Sequence, residues 1–344
     1  MEQNKSNELQ NSLPQKTEFG EIVSIIDRAR DRALRAVNTE LIHMYFEVGK
    51  FLSGLCAKAE FGDKVIDDAA AYIAANHPGI KGFNRRGLYR MKQFFETYKD
   101  DEFVSALLTQ ISWSNHLHIM SKAKSAEERH FYLLLCVKEK YSARELERQI
   151  NSAYYERYML SSQKLAPEAV PQNVRNNILD TYVLEFLNLP EQFSEQNLRK
   201  AIIENLKDFI LEFGKDFTFI GEEYRVQVGN SDFYIDLLFY HRALSCLVAI
   251  ELKIGKFKPE HIGQINFYLE ALDRDVKKPN ENPSVGVILC ADKDDAVVEY
   301  ALSRSASPTL VSDYKLRLPD KKILREKLRE LTELALEAGA EDES

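Results

Sequence analysis

The chain has 344 residues, enough for two domains, and its 44% hydrophobic and 29% charged residues are typical of a globular protein. Its apolar runs fall well short of the roughly 20 residues of a membrane helix, which excludes a membrane protein. Its four cysteines form no CxxC pair and favour a reducing cytoplasmic location, while the net charge of −8 excludes a uniformly basic surface but not a local basic patch.

The first half of the sequence predicts helices. Residues 1–19 are polar and rich in Asn and Gln, which is typical of a disordered tail. Residues 20–160 form the predicted helical N-terminal domain, because apolar residues recur at helical spacing from Ile22 to Leu55 and again from Lys64 to Ala75. Later helices of this domain follow the predicted N-caps Asn84, Ser125 and Ser142.

A basic segment lies at the start of one of these helices. Residues 81–92 contain no acid and five basic side chains, namely Lys81, Arg85, Arg86, Arg90 and Lys92. These side chains can contact phosphates and bases, and Arg144 with Arg148, one turn apart on a later helix, can add phosphate contacts. The alternatives are a solvated basic face and, for Arg144 and Arg148, ion pairs with nearby glutamates. We expect nucleic-acid binding because the second half of the chain carries a site suited to phosphate chemistry.

The second half predicts an α/β domain. Residues 161–175, with Pro167 and Pro171, are typical of a linker. Helices are expected over residues 177–187, 195–213, 259–272 and 295–303, and strands over residues 217–220, 224–228, 233–240, 246–254, 285–290 and 309–316. This order predicts a mixed sheet flanked by helices over residues 176–320. Residues 321–344 are expected to form a C-terminal helix and an acidic tail.

Two acidic residues and a lysine are predicted to meet on neighbouring strands. A hairpin turn centred between Ala243 and Leu244 places Asp236 opposite Glu251, and Lys253 joins the same face because side chains alternate along a strand. A slip of one residue would instead pair Asp236 with Ile250 or Leu252. The expected register therefore predicts one charged cluster inside an apolar sheet.

Such a cluster needs a compensating charge. Two carboxylates at about 4 Å repel by roughly 4 kcal/mol at an effective dielectric constant near 20, which a shared proton or a bound cation can offset. Carboxylate oxygens suit Mg²⁺ or Mn²⁺, and a nearby lysine can orient water or stabilise negative charge at a phosphoryl group. A solvated sheet face or a salt bridge is the alternative. We favour a functional site because the flanking residues are apolar on both faces of the strands.

A helix after these strands carries Gln264 and Tyr268, one turn apart and eleven residues beyond Lys253. Both side chains can reach a nucleic-acid backbone or a water molecule beside the acids. At this spacing a surface glutamine and a core tyrosine are the alternative. No phosphate-binding Walker loop or dinucleotide-binding G-x-G-x-x-G motif occurs, which argues against an ATPase or a dehydrogenase.

The order Asp236, Glu251-Leu252-Lys253, Gln264 and Tyr268 resembles the PD-(D/E)XK nuclease superfamily, in its branch with a Q-x-x-x-Y helix. The strand sequences 234–241 and 249–255, with the segments 79–86 and 144–150, resemble the YhcG-type bacterial nuclease family, whose members carry a helical N-terminal domain. The resemblance implies a restriction-endonuclease-like core. Asp236 and Glu251 would be metal ligands and Lys253 the catalytic lysine.

The resemblance also implies an acidic residue on the helix before the first strand. Glu204 is the candidate for this additional metal ligand, with Glu212, Glu222 and Glu223 as alternatives. Ile235 stands where the superfamily's name-giving motif has proline, a residue that is often absent among its members.

We therefore expect a nuclease that hydrolyses phosphodiester bonds with Mg²⁺ or Mn²⁺. DNA is the expected substrate, although the family resemblance does not separate DNA from RNA. The first alternative is an inactive nucleic-acid-binding or adaptor protein on a nuclease scaffold, and the second is a protein-binding helical module. The sequence predicts no membrane partner and leaves a homo-oligomer open.

Overall fold

A computed structural model describes residues 13–59, 62–101, 104, 107–163, 171–175, 177–303, 305 and 307–330. The chain divides into two compact units, Met1–Glu147 and Arg148–Ser344, here called the N-terminal and C-terminal units. Within the described ranges, every helix is too short or too polar to cross a membrane.

The N-terminal unit is helical where it is described. Its first helix, α1, begins at Leu13, inside the segment expected to be a tail, and runs to Lys58; residues 1–12 of that segment lie outside the described residues. The helices that follow are α2 (Gly62–Asn76), α3 (Arg85–Tyr98), α4 (Trp113–Lys122), α5 (Ala126–Glu139) and α6 (Ala143–Asn151), which ends in the C-terminal unit.

Local sequence signals place these helices. The Asn84 side chain accepts a hydrogen bond from the Gly87 amide, as expected of an N-cap. Helices α1 and α3 approach closely at Gly49, where an added Cβ atom would lie 2.1 Å from the Met91 carbonyl oxygen. Only glycine fits at this crossing, so the close approach of α1 to α3 requires Gly49.

The C-terminal unit combines helices with one sheet. Its helices are α7 (Tyr154–Gln163), α8 (Gln172–Arg175), α9 (Glu195–Glu204), α10 (Leu206–Phe213), α11 (Glu260–Asp275) and α12 (Asp295–Leu302). Its strands are β1 (Thr181–Val183), β2 (Phe217–Val228), β3 (Ser231–His241), β4 (Cys246–Lys256), β5 (Val285–Asp292) and β6 (Thr309–Lys315). Helices α7 and α8 take up both ends of the segment expected to be a linker, whose residues 164–170 lie outside the described ones. Residues 321–330 are helical, and the rest of the expected C-terminal helix also lies outside.

The strands form one mixed sheet in the order β1-β6-β5-β4-β3-β2, which confirms the predicted α/β class. Strands β2, β3 and β4 are antiparallel neighbours, whereas β4, β5, β6 and β1 pair in parallel. Apolar clusters cover both faces: one joins Leu237 and Leu252 to α9 and α10, and the other joins Leu238 and Ala249 to α11. The burial of the central strands, on which the site prediction rested, is confirmed.

Two helix predictions were wrong in part. The segment 177–187 contains strand β1 and a 3₁₀ turn at Glu185–Leu187, because Tyr182 and Val183 are fully buried where β1 pairs with β6. The expected single helix over 195–213 breaks at Asn205, whose φ of −114° is not helical. The spacing of apolar residues within a short segment cannot show that β1 pairs with the distant strand β6. It also cannot show that the chain bends at Asn205.

Candidate active site

The site lies where β3 and β4 separate. Their ladder runs from His241 opposite Cys246 to Leu237 opposite Ile250, which confirms the predicted register. Past this point β3 continues beside β2 alone, and β4 continues beside β5. The next residues, Asp236 and Glu251, therefore stand at the opening between the two strands, where side chains rather than ladder bonds occupy the space.

Asp236 replaces a ladder bond with its side chain. Its Oδ2 accepts a hydrogen bond of 2.9 Å from the Leu252 amide, and its Oδ1 accepts one of 3.1 Å from Arg199. The side chain remains 17% exposed. One carboxylate oxygen of Asp236 thus accepts from the backbone of β4, and the other pairs with the Arg199 guanidinium.

Glu251 and Lys253 form a second pair. The Lys253 ammonium donates to Glu251 Oε1 at 2.8 Å, while Glu251 Oε2 is buried without a hydrogen-bond partner within the described residues. Burial and the Asp236 charge raise the pKa of Glu251 to about 7, against the opposing effect of Lys253. Burial lowers the pKa of Lys253, but the Glu251 carboxylate and other acids outweigh it, so the net shift is upward and the ammonium stays charged.

Helix α9 supplies two site residues that the sequence analysis missed. Glu195, in the first turn of α9, lies 3.7 Å from Lys253, and Arg199, one turn later, contacts Asp236 and Glu223. Arg199 is only 13% exposed. Their spacing of four residues on one helix face was the available signal. The repulsion between Asp236 and Glu251 is thus offset by the cationic side chains of Arg199 and Lys253.

Helix α11 borders the same site. Gln264 donates to the Tyr268 hydroxyl at 3.0 Å. Burial raises the pKa of Tyr268, and the charges of Glu251 and Asp236 raise it further, which places the phenol within their field. His261, one helical turn before Gln264, has its pKa lowered by burial and by Lys253. The helix therefore presents a histidine, an amide and a phenol near the acids.

The candidates for the additional acid lie in different places. Glu204, the sequence candidate, is 63% exposed and its nearest described cation is Lys200 at 3.9 Å. It lies nine residues, roughly 13 Å, along α9 from Glu195. Glu212 is fully buried in ion pairs with Arg157 and Arg148. Glu222 and Glu223 are on β2, and their carboxylates lie 4.0 and 2.7 Å from the Arg199 guanidinium. The structure thus brings Glu195 and Glu223 to the site and leaves Glu204 and Glu212 away from it.

The basic residues of the N-terminal unit that were predicted to bind nucleic acid fall into two groups. Lys81, Arg86 and Arg144 are exposed and Arg90 is partly exposed. Arg85 pairs with Asp67 at 2.5 Å, and Lys92 pairs with Glu96 at 2.8 Å. Only the first group presents cations without a described ion pair.

Arg148 belongs to neither group, since it lies in the C-terminal unit. Its guanidinium binds Glu185, Glu212 and the Val183 carbonyl and stacks on Phe186. Of the two alternatives weighed for Arg148, the structure therefore favours an ion pair over a phosphate contact.

The residues present fit a hard divalent cation. Glu251 Oε2 is a buried oxygen without a partner in the described structure, and Asp236 adds a second carboxylate whose only described cation is Arg199. Among the described residues, no three His, Cys, Asp or Glu side chains converge as a full ligand set. Mg²⁺ needs no such set, because it is usually held by one or two carboxylates together with water and phosphate oxygens.

Comparison with known proteins places the chain in a family. A model of the YhcG PDDEXK nuclease domain matches residues 175–329, and a model of the DUF1016 N-terminal domain matches residues 21–157. The curated protein "Putative nuclease YhcG" of Escherichia coli (strain K12) is 33% identical over 357 residues, covering 92% of this chain and 94% of that protein. The chain belongs to the YhcG nuclease family. The resemblance found in the strand motifs is thereby confirmed, and with it the PD-(D/E)XK class of the C-terminal unit.

Two solved structures are similar to part of this YhcG-type chain. The "crystal structure of a repair endonuclease from Pyrococcus abyssi" is 17% identical, with 38% of this chain and 50% of that chain covered and a TM-score of 0.26. "Structure of EndoMS in apo form" is 16% identical, with 38% and 49% covered and a TM-score of 0.25. The chain thus spans about half of each of these two proteins.

Proposed function

We propose that this YhcG-type nuclease is a divalent-metal-dependent endonuclease that cleaves DNA. The observation that supports this most is the pair Asp236 and Glu251 at the opening between β3 and β4, with one buried carboxylate oxygen unpartnered and Lys253 beside it. Mg²⁺ or Mn²⁺ bound there would acidify a water molecule and neutralise charge on the phosphoryl group.

Metal binding, charge stabilisation and substrate orientation are each assigned to particular side chains of this site. Asp236 and Glu251 would hold the ion, with Glu195 as the additional acid in place of Glu204. Lys253, whose pKa is raised, stays protonated and so stabilises the developing negative charge rather than accepting a proton. Gln264, fixed by its hydrogen bond to Tyr268, would orient the nucleic-acid backbone or the attacking water.

Helix α3 supports DNA as the substrate. Arg86 and Arg90, four residues apart, share one side of α3, and Tyr89 beside them is 50% exposed. A basic helix fits the wide major groove of B-form DNA, whereas the major groove of double-stranded RNA is too narrow for side chains to read. Together with Lys81 and Arg144, these residues form the proposed nucleic-acid-binding set.

A cleavage assay tests the activity. Plasmid DNA and RNA are incubated with the full chain and Mg²⁺, Mn²⁺ or a chelator, and we expect cleavage of DNA only when a metal is present. Lys253→Ala should lower the rate by about 10²-fold or more, because it removes charge stabilisation in the transition state. Lys256→Ala, on the exposed end of the same strand, is the matched control and should cleave normally.

Two results would count against this proposal. Cleavage that persists in chelator would exclude the metal, and salt-dependent binding without cleavage under either metal would favour the inactive nucleic-acid-binding alternative.

A binding experiment tests the role of α3. Arg86→Ala with Arg90→Ala should weaken DNA binding and reduce the slope of log affinity against log salt by about 2, since each lost phosphate contact removes about one released counterion. Arg85→Ala with Lys92→Ala removes the same charge but from side chains already paired with Asp67 and Glu96. If both double variants change the slope equally, α3 acts only through its net charge.

A further inference from the structure

The first helix carries an apolar surface that nothing described in the chain covers. Every side chain from Phe19 to Val37 is exposed, although α1 is helical over this whole length. A helix without packing partners is marginal in water, because tertiary contacts on an apolar face supply most helical stability. Within the described part of the chain, residues 19–37 of α1 therefore lack the contacts that would stabilise them in a single copy.

The exposed apolar residues are ordered along the helix. At 100° per residue, six of them fall within about 120° of arc and form a single stripe. This α1 stripe consists of Phe19, Ile22, Val23, Ile26, Leu34 and Val37, which are 49–69% exposed. A stripe of this width is the face that a helix buries against a partner. Ile25, equally apolar, lies outside it, about 120° around the helix from the centre of the stripe.

The area of the stripe suits a protein interface. At about 100 Å² for a fully exposed aliphatic side chain, the six stripe residues offer roughly 350 Å² of apolar surface. Because apolar atoms make up about 60% of an interface, this corresponds to roughly 600 Å² per partner, which is at the lower end of specific interfaces.

Charged residues on α1 favour a second copy of α1 as the partner and an antiparallel arrangement of the two helices. Arg30 lies within the stripe and Asp27 lies at its border one turn earlier, and neither has a described ion pair. A second copy running antiparallel, crossing between Arg28 and Ala29, would place Arg30 against the partner's Asp27 twice, by two-fold symmetry, and Val23 against the partner's Leu34. A parallel pair would instead stack the two Arg30 side chains.

We propose that the α1 stripe is a homodimer interface in which two copies of α1 pack antiparallel about Arg28 and Ala29. The interface is independent of the nuclease site, because it uses no residue of the C-terminal unit.

The mass of the full chain in solution tests this proposal. Light scattering coupled to gel filtration, at micromolar concentration, should give about twice the 39.7 kDa of one chain. Ile26→Glu should give the single-chain mass, whereas Ile25→Glu, its neighbour off the stripe, should leave the dimer intact. Circular dichroism checks that both variants keep the core of the N-terminal unit, whose buried α1 residues, such as Ile42 and Leu52, are unchanged.

A charge exchange tests the antiparallel direction. Arg30→Glu should raise the dimer dissociation constant at least about tenfold, because it sets acid against acid, and Asp27→Arg added to Arg30→Glu should restore it. A wild-type chain of single-chain mass would overturn the proposal, even if hydrogen exchange showed residues 19–37 protected, since the stripe would then be covered within one chain. Equal effects of Ile25→Glu and Ile26→Glu, or no rescue by the double exchange, would overturn it as well.

Discussion

Asp236→Asn should lower DNA cleavage by about 10³-fold, because it removes a metal-binding charge and leaves the developing phosphoryl charge less neutralised. Asparagine keeps the shape of the side chain and can still accept the hydrogen bond from the Leu252 amide, so the opening between β3 and β4 stays intact. Arg199 would lose its ionic partner on β3 but keep Glu223. The loss should therefore be one of chemistry and not of folding.

Metal affinity gives a second measure of this substitution. Titration of Mn²⁺ followed by electron paramagnetic resonance should show at least about tenfold weaker binding in Asp236→Asn, since one of two ligand carboxylates is gone. Asp232→Asn is the matched control: it lies on the same strand, pairs with Arg225 at 2.8 Å and is away from the acids. Unchanged Mn²⁺ affinity in Asp236→Asn would remove this residue from the ligand set.

Glu212→Ala should lower the free energy of unfolding of the C-terminal unit by about 3–5 kcal/mol, the usual effect of removing one partner from a buried ion pair. The Glu212 carboxylate is fully buried, binds Arg157 at 2.6 Å and Arg148 at 3.3 Å, and accepts from the Val183 amide at 2.8 Å. The substitution would leave the Arg157 guanidinium, only 2% exposed, without its counter-ion.

Urea unfolding followed by tyrosine fluorescence and circular dichroism measures this effect. Glu204→Ala is the control, because Glu204 is 63% exposed and its pair with Lys200 at 3.9 Å should contribute less than about 0.5 kcal/mol. A loss in Glu212→Ala no larger than in Glu204→Ala would show that this buried network adds little stability.

The positions of the three central site residues could be predicted from sequence because their geometry is local. A short turn between β3 and β4 fixes the register, and the register alone sets Asp236 beside Glu251 with Lys253 two residues on. Side-chain alternation then follows from the period of two along a strand. The N-cap at Asn84 and the end of α10 before Gly214 were predictable for the same reason, since each depends on a few adjacent residues.

The partners of these residues depend on distant parts of the chain. Glu195 and Arg199 reach the acids only because α9 packs against the sheet near β4, so helical spacing could suggest a shared face but not what it contacts. Glu204 was the candidate from sequence, but it lies in the last turn of α9. The packing of α9 instead brings the first turn of this helix, with Glu195, close to Lys253. Arg148 likewise joins Glu185 and Glu212 through packing that local charge patterns do not reveal.

The sequence by itself thus determined the fold class, the strand register and the acidic pair with its lysine, because short-range spacing governs them. Tertiary structure alone decided which helix acid approaches Lys253, that Arg199 neutralises Asp236, and that residues 181–183 form a strand. It also decided which apolar residues of α1 remain uncovered. Each of these features depends on contacts between segments that are far apart in the chain. The free energy of such contacts cannot be predicted from a short stretch of sequence.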